Sequence, residues 1–144
     1  MLVISPPQSI PQLVHDLYSS LAVKIPPGQY TILAAFVLTC PSAAKVISLA
    51  TGSKCLPTTR FPRMGDALHD SHAEVLARRG AVRWLMEEVR RASASQQGSA
   101  WLLKASDGKY SLQDGVHTHL YVSTVPCKGY ELAMSLVYDT TRRR

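Results

Sequence analysis

The chain has 144 residues, a formal net charge of +6, 46% hydrophobic residues and 18% charged residues. That length holds one domain and excludes two sizeable cores, and the balance of apolar to charged residues excludes a disordered chain. The longest apolar run, Ile32 to Leu38, is seven residues, which suits a buried strand and excludes a membrane span.

The first eleven residues hold three prolines and read as an irregular lead-in without a basic, then apolar, secretory signal. Ile10, Leu13, Val14, Leu17 and Leu21 follow helical spacing, so the pattern predicts an amphipathic helix from Ser9 to Lys24, stopped by Pro26-Pro27-Gly28. Tyr30 to Thr39 and Lys45 to Thr51 are two predicted strands, apolar enough to be buried on both faces. A loop follows from Gly52 to Leu68. Its segment Lys54 to Arg63 has three basic residues and no acid, and is either a solvated loop or a phosphate contact. Ser71 to Ala92 is the strongest predicted helix. Ser71 and Glu74 fit a capping box, and Val75, Leu76, Val82, Leu85, Met86 and Val89 form its apolar stripe. After the low-complexity loop Ser93 to Ser99 come a short strand at Trp101 to Lys104, a turn at Asp107-Gly108 and a strand at His117 to Val125. Strands flanking a long helix predict an α/β sheet with a helix packed on it.

Charge and cysteines add little alone. Arg142, Arg143 and Arg144 supply half of the net charge and read as a solvated tail. Cys40, Cys55 and Cys127 are too few for a disulfide scaffold, which favours a reducing, intracellular compartment.

The chemistry concentrates where the long helix begins. Asp70-Ser71-His72-Ala73-Glu74-Val75 is followed, after the last strand, by Pro126-Cys127. This is the order H-x-E then P-C of zinc-dependent nucleobase deaminases. Imidazole and thiolate hold Zn²⁺ with one position left to water, and a carboxylate that is not a ligand moves the protons. The plainer alternatives are Glu74 as the capping partner of Ser71 and His72 as a surface histidine. A P-C-x-x-C pair is absent, because Tyr130 stands three residues after Cys127. Cys40 and Cys55 lack ligand spacing and read as buried or inert thiols. His117 and His119 share one strand face, either as a source of a third ligand or as ordinary strand positions.

Three stretches, Ala50-Thr-Gly-Ser-Lys-Cys-Leu, Met64-Gly-Asp-Ala-Leu-His-Asp-Ser-His-Ala-Glu-Val-Leu-Ala-Arg-Arg and His119-Leu-Tyr-Val-Ser-Thr-Val-Pro-Cys, closely resemble the RNA adenosine deaminases. The likeness is nearest to the tRNA-specific branch, including its fungal members. It implies a cytidine-deaminase-like, three-layer α/β/α fold, incomplete here. Residues 1–127 would be the N-terminal part of an A-to-I editase domain, and 128–144 an irregular tail unlike the family. The implied activity is zinc-dependent hydrolysis of adenosine to inosine in tRNA, beside the anticodon of alanine tRNA.

Position by position, the resemblance makes His72 and Cys127 zinc ligands and Glu74 the proton shuttle. Arg78 and Arg79 match arginines that contact a buried inositol hexakisphosphate. Asp70 matches the aspartate linking that cofactor's surroundings to the metal site. Ser53 and Lys54 match a loop that approaches the substrate nucleotide, while His69 replaces the usual asparagine. The family's P-C-G-D-[AS] becomes Pro126-Cys127-Lys128-Gly129 here. The second zinc cysteine is then not found, and the alternative is a truncated, inactive fragment with at most weak RNA binding. A deaminase of free nucleosides fits less well without P-C-x-x-C. The expected partner is tRNA, in the nucleus, the cytoplasm or both. Neither a membrane nor a protein partner is indicated.

Overall fold

The structure, a computed structural model, describes residues 9–62, 64–95 and 98–124. In chain order these form α1 (Ile10–Ser20), β1 (Leu33–Cys40), β2 (Ala43–Thr51), β3 (Ser53–Cys55), a 3-10 turn (Thr58–Arg60), β4 (Asp70–His72), α2 (Ala73–Ala94), β5 (Leu102–Lys104), β6 (Tyr110–Leu112) and β7 (His117–Val122). The central sheet has the order β2-β1-β7, with both pairs antiparallel.

β1 is the middle strand, so its apolar run is covered on both faces. Leu33, Ala35 and Val37 pack under α1 around the fully buried Val14. Ala34 and Leu38 face α2 instead, with Ala73 and Ala77 over the first and Ala81 over the second. One helix on each side of a sheet gives the α/β/α layering of a partial deaminase domain. Among the described residues, no helix is long and apolar enough to cross a membrane.

β2 lies at the sheet's edge and carries Lys45, Ser48 and Thr51 among its apolar residues, and only its Ile47 is buried. Two-face burial therefore holds for β1 and not for β2. α1 ends at Ser20, four residues before the predicted Lys24, because Ala22 adopts a left-handed backbone at φ +50°. The last strand stops at Val122, and residues from 125 onward lie outside the described set.

Two expectations about α2 are corrected. The helix starts at Ala73 with His72 as its N-cap, and no side chain caps it. Ser71 is unavailable because it belongs to β4, paired with Lys54. The first helical N–H, of Ala73, donates to the carbonyl of Gly52 at 3.1 Å, so backbone replaces the predicted capping box. The face on the sheet is also different. It is built from Ala73, Ala77 and Ala81, not from the larger apolar stripe. Small residues let the helix approach closely. Ser48 Oγ on β2 donates to the Ala77 carbonyl at 2.6 Å, and a Cβ on Gly80 would lie 2.5 Å from that oxygen.

The larger residues Val82, Leu85, Met86 and Val89 instead line a cavity of about 460 Å³ with Leu102, Tyr110 and Leu112. These last three come from the β5–β6 hairpin, turned at Asp107-Gly108 as expected, with Gly108 at φ +83°. The loop read as low complexity has a structural part. Ser99 Oγ donates to Glu88 and accepts the N–H groups of Trp101 and Leu102.

Candidate metal centre at the start of the long helix

β2 hands the chain to the site through Gly52. Its N–H donates to the Ile32 carbonyl at 3.2 Å, its carbonyl receives the Ala73 N–H, and a Cβ here would lie 1.9 Å from the Ser71 carbonyl oxygen. Only glycine permits that crossing. β3 then pairs antiparallel with β4, so that Ser53 lies opposite His72, Lys54 opposite Ser71 and Cys55 opposite Asp70.

This register gathers three donors. Asp70 Oδ1 accepts the His72 backbone N–H at 3.0 Å and lies 2.8 Å from His72 Nδ1. Cys55 Sγ is 3.4 Å from the same ring nitrogen. One donor atom from each of Cys55, Asp70 and His72 lies within 4.8 Å of the other two. Asp70 and His72 are half-buried and Cys55 is exposed, so solvent and ions reach the cluster.

Electrostatics separate the two acids of this cluster. The His72 backbone N–H is the main cause that holds the Asp70 carboxyl below the usual carboxylate value, helped by the His72 ring. Partial desolvation pushes the Cys55 thiol up, and the negative charges of Asp70 and Glu74 push it further. Glu74 stands in the first turn of α2, beside this group.

The junction thus brings together Ser53, Lys54, Asp70, His72 and Glu74, five of the residues singled out from the sequence. Arg78 and Arg79 lie further along α2. Both are exposed and in no ion pair among the described residues. Cys127, Arg63 and the stretch 128–144 lie outside the described residues.

His117 and His119 do not supply a third donor. His119 lies opposite Val37 and His117 opposite Thr39, on the α1 side of the sheet, and His119 Nε2 is 2.8 Å from Thr39 Oγ1. Burial, then the charge of His117, holds the His119 imidazole below its ordinary pKa.

Cys55, read as an inert thiol, is the residue that sequence spacing missed. The available signal was the two-residue alternation that puts Ser53 and Cys55 on one side of a strand, but β3 is three residues long and carries no strand pattern. Also unforeseen is the stack of Phe61 on His69, with ring centroids 3.9 Å apart and planes 4° apart. With the Leu56 N–H on the His69 carbonyl at 2.7 Å, it closes the loop between β3 and β4.

Residues 48–137 match the family described as the adenosine-deaminase (editase) domain. The chain belongs to that family. The match begins within β2 and runs through the whole junction and past Cys127. Among curated relatives, the chain is 42% identical over 84 residues to tRNA-specific adenosine deaminase 1 of Schizosaccharomyces pombe, covering 56% of this chain and 21% of the relative. It is 39% identical over 90 residues to the double-stranded RNA-specific editase Adar of Drosophila melanogaster, covering 58% and 13%. With the human tRNA-specific adenosine deaminase 1 the identity is 30% over 95 residues, covering 66% and 19%. The chain therefore spans about a fifth or less of the length of these relatives.

An editase domain of this family suggests zinc, and the donors fit it. One imidazole, one thiol and one carboxylate, open to water on one side, form the mixed nitrogen, sulfur and oxygen set that Zn²⁺ accepts. For a polyphosphate the fit is partial. Two guanidiniums without an ion pair among the described residues suit phosphate oxygens, but their exposure is not a buried seat.

Proposed function

We propose that the protein carrying this domain deaminates adenosine to inosine in RNA, with tRNA as its substrate and the adenosine beside the alanine anticodon as its target. The observation that carries this reading is the β3–β4 register. It sets Ser53 and Lys54 against Ser71 and His72, with Glu74 in the next turn, inside a domain of the editase family.

His72 and Cys127 hold the zinc in this reading. When bound, zinc lowers the pKa of a coordinated water and so makes a nucleophile available near neutral pH. The Glu74 carboxylate moves the two protons of the attacking water in turn, the first to the adenine ring nitrogen and the second, from the hydroxyl left on carbon 6, to the amino group, which departs as ammonia while the carbonyl of inosine forms. Asp70 orients His72 through its backbone N–H and ring. Lys54, exposed on β3, offers its ammonium to a phosphate next to the target nucleotide, and Ser53 its hydroxyl. Arg78 and Arg79 hold inositol hexakisphosphate in the complete domain. A tRNA substrate puts the site of action in the nucleus, the cytoplasm or both.

The test is inosine formation in an alanine-tRNA transcript by the protein and by its Glu74→Gln variant. The variant is expected to lose roughly 10²- to 10⁴-fold in rate while keeping its metal content. Equal rates for the two proteins would remove Glu74 from the mechanism.

A further inference from the structure

We infer that Ser48 is a positioning residue for Glu74, an inference that rests on the role of Glu74 proposed above. The strand that carries Ser48 is shaped to aim it. β2 pairs with β1 at Ser48–Phe36 and again at Val46–Val37, so Ile47 is an extra residue, a β-bulge. The bulge turns two consecutive residues to the same side of the sheet. Ile47 packs with Leu38 and Ala81 on the α2 side, and on that side Ser48 Oγ donates to the Ala77 carbonyl at 2.6 Å. In an unbroken strand one of the two would face α1.

Ala77 stands one helical turn after Ala73, on the same face of α2. The first turn is therefore held at two points. The Ala73 N–H donates to the Gly52 carbonyl at 3.1 Å, and the Ala77 carbonyl accepts from Ser48. Glu74 lies between them. The Ala77 carbonyl already accepts the helical N–H of Ala81, so the bond from Ser48 is additional to what the helix needs and ties it to β2. Gly80 lets the helix come this close, since a Cβ there would lie 2.5 Å from Ser48 Oγ and 3.3 Å from Ser48 Cβ. Held at both ends, the turn neither slides along β2 nor rolls on it. A carboxylate that moves protons between fixed atoms needs that constraint.

The experiment measures inosine formation in the alanine-tRNA transcript together with zinc content, Tm and amide hydrogen exchange in α2. Ser48→Ala is expected to lower kcat roughly 10- to 100-fold, to leave KM and zinc content unchanged and to lower Tm by about 4 °C. Exchange at residues 77–81 is expected to quicken about fivefold. In the Glu74→Gln background the same substitution is expected to change kcat by less than about twofold, because the carboxylate it positions is gone. Adding Gly80→Ala to Ser48→Ala fills the space that the hydroxyl leaves and favours the helix, so Tm recovers while kcat does not. This double variant carries the test even where Ser48→Ala folds poorly. If kcat recovers along with Tm, if Ser48→Ala costs as much without the Glu74 carboxylate as with it, or if exchange is unchanged, Ser48 does not position Glu74 and the role of Glu74 stands. If Glu74→Gln forms inosine as fast as the unsubstituted protein, both fall together.

Discussion

The two halves of α2 bury themselves in opposite ways. Its first half packs on the sheet through Ala73, Ala77 and Ala81, beside Gly80, and begins on the Gly52 carbonyl. Its second half presents Val82, Leu85, Met86 and Val89 to a short hairpin, and Val82 and Met86 stay 44% and 69% exposed. Small side chains make the first half tight, since backbone comes close to backbone and positions shift little. Large side chains make the second half apolar but loosely covered. The donors Cys55, Asp70 and His72 sit at the tight end, where a site needs fixed geometry.

Gly52→Ala is the strongest way to break that contrast. An added methyl would meet the Ser71 carbonyl at 1.9 Å, a backbone atom that moves only if β4 moves with it. The expected cost is about 3 kcal/mol, at the upper end of overpacking effects, with loss of Zn²⁺ binding. Chemical denaturation and metal titration measure both. A cost under about 1 kcal/mol would mean that the junction is as pliable as the far half of the helix.

Asp70→Asn sharpens the contrast with a smaller effect. The His72 backbone N–H holds the Asp70 carboxyl below its ordinary value of 3.8, so the folded state favours the ionised form. The stabilisation from this carboxylate is therefore present above pH 3.8 and lost as pH falls through the lower folded value. In metal-free buffer the unsubstituted chain is expected to lose stability on that acid limb, and the Asn variant to lose less of it. Zn²⁺ affinity is expected to drop roughly 10- to 100-fold, the usual consequence of removing a group that orients a ligand. Thermal unfolding from pH 6 down to pH 3 and a zinc competition assay read the two effects separately. Identical acid limbs would remove Asp70 from the folded junction.

The same contrast marks what was legible in the sequence. The central strand was legible because Ile32 to Leu38 is continuously apolar and needs no partner to be recognised. D-S-H-A-E at the start of a helix was legible as chemistry because its residue types and order are specific. The capping box at Ser71 and Glu74 failed because a pattern four residues long carries no information about β3, the strand that claims Ser71. The apolar stripe failed for a related reason. Hydrophobic periodicity finds the face with the largest side chains, whereas close approach selects the smallest, here Ala73, Ala77 and Ala81. Cys55 was missed because its link to His72 runs across a strand pair of three residues each, where spacing along the chain says nothing about distance.

The loose end of α2 gives the smallest predicted effect. Met86 lies on the apolar stripe, yet more than two thirds of it is exposed, so little apolar area leaves water when it folds. Lysine at this position keeps a straight aliphatic stem over Val82 and Val89 and carries its ammonium into solvent. Its helix propensity is close to that of methionine. Met86→Lys is therefore expected to change stability by no more than about 0.5 kcal/mol and to leave Zn²⁺ affinity unchanged. The same substitution at Ala77, fully buried against Ala34, has no path to solvent and is expected to prevent folding. Matched denaturation curves for the two variants compare the halves directly. If Met86→Lys costs more than about 1 kcal/mol, the outer stripe is covered in solution, and size alone does not divide the tight half of the helix from the loose one.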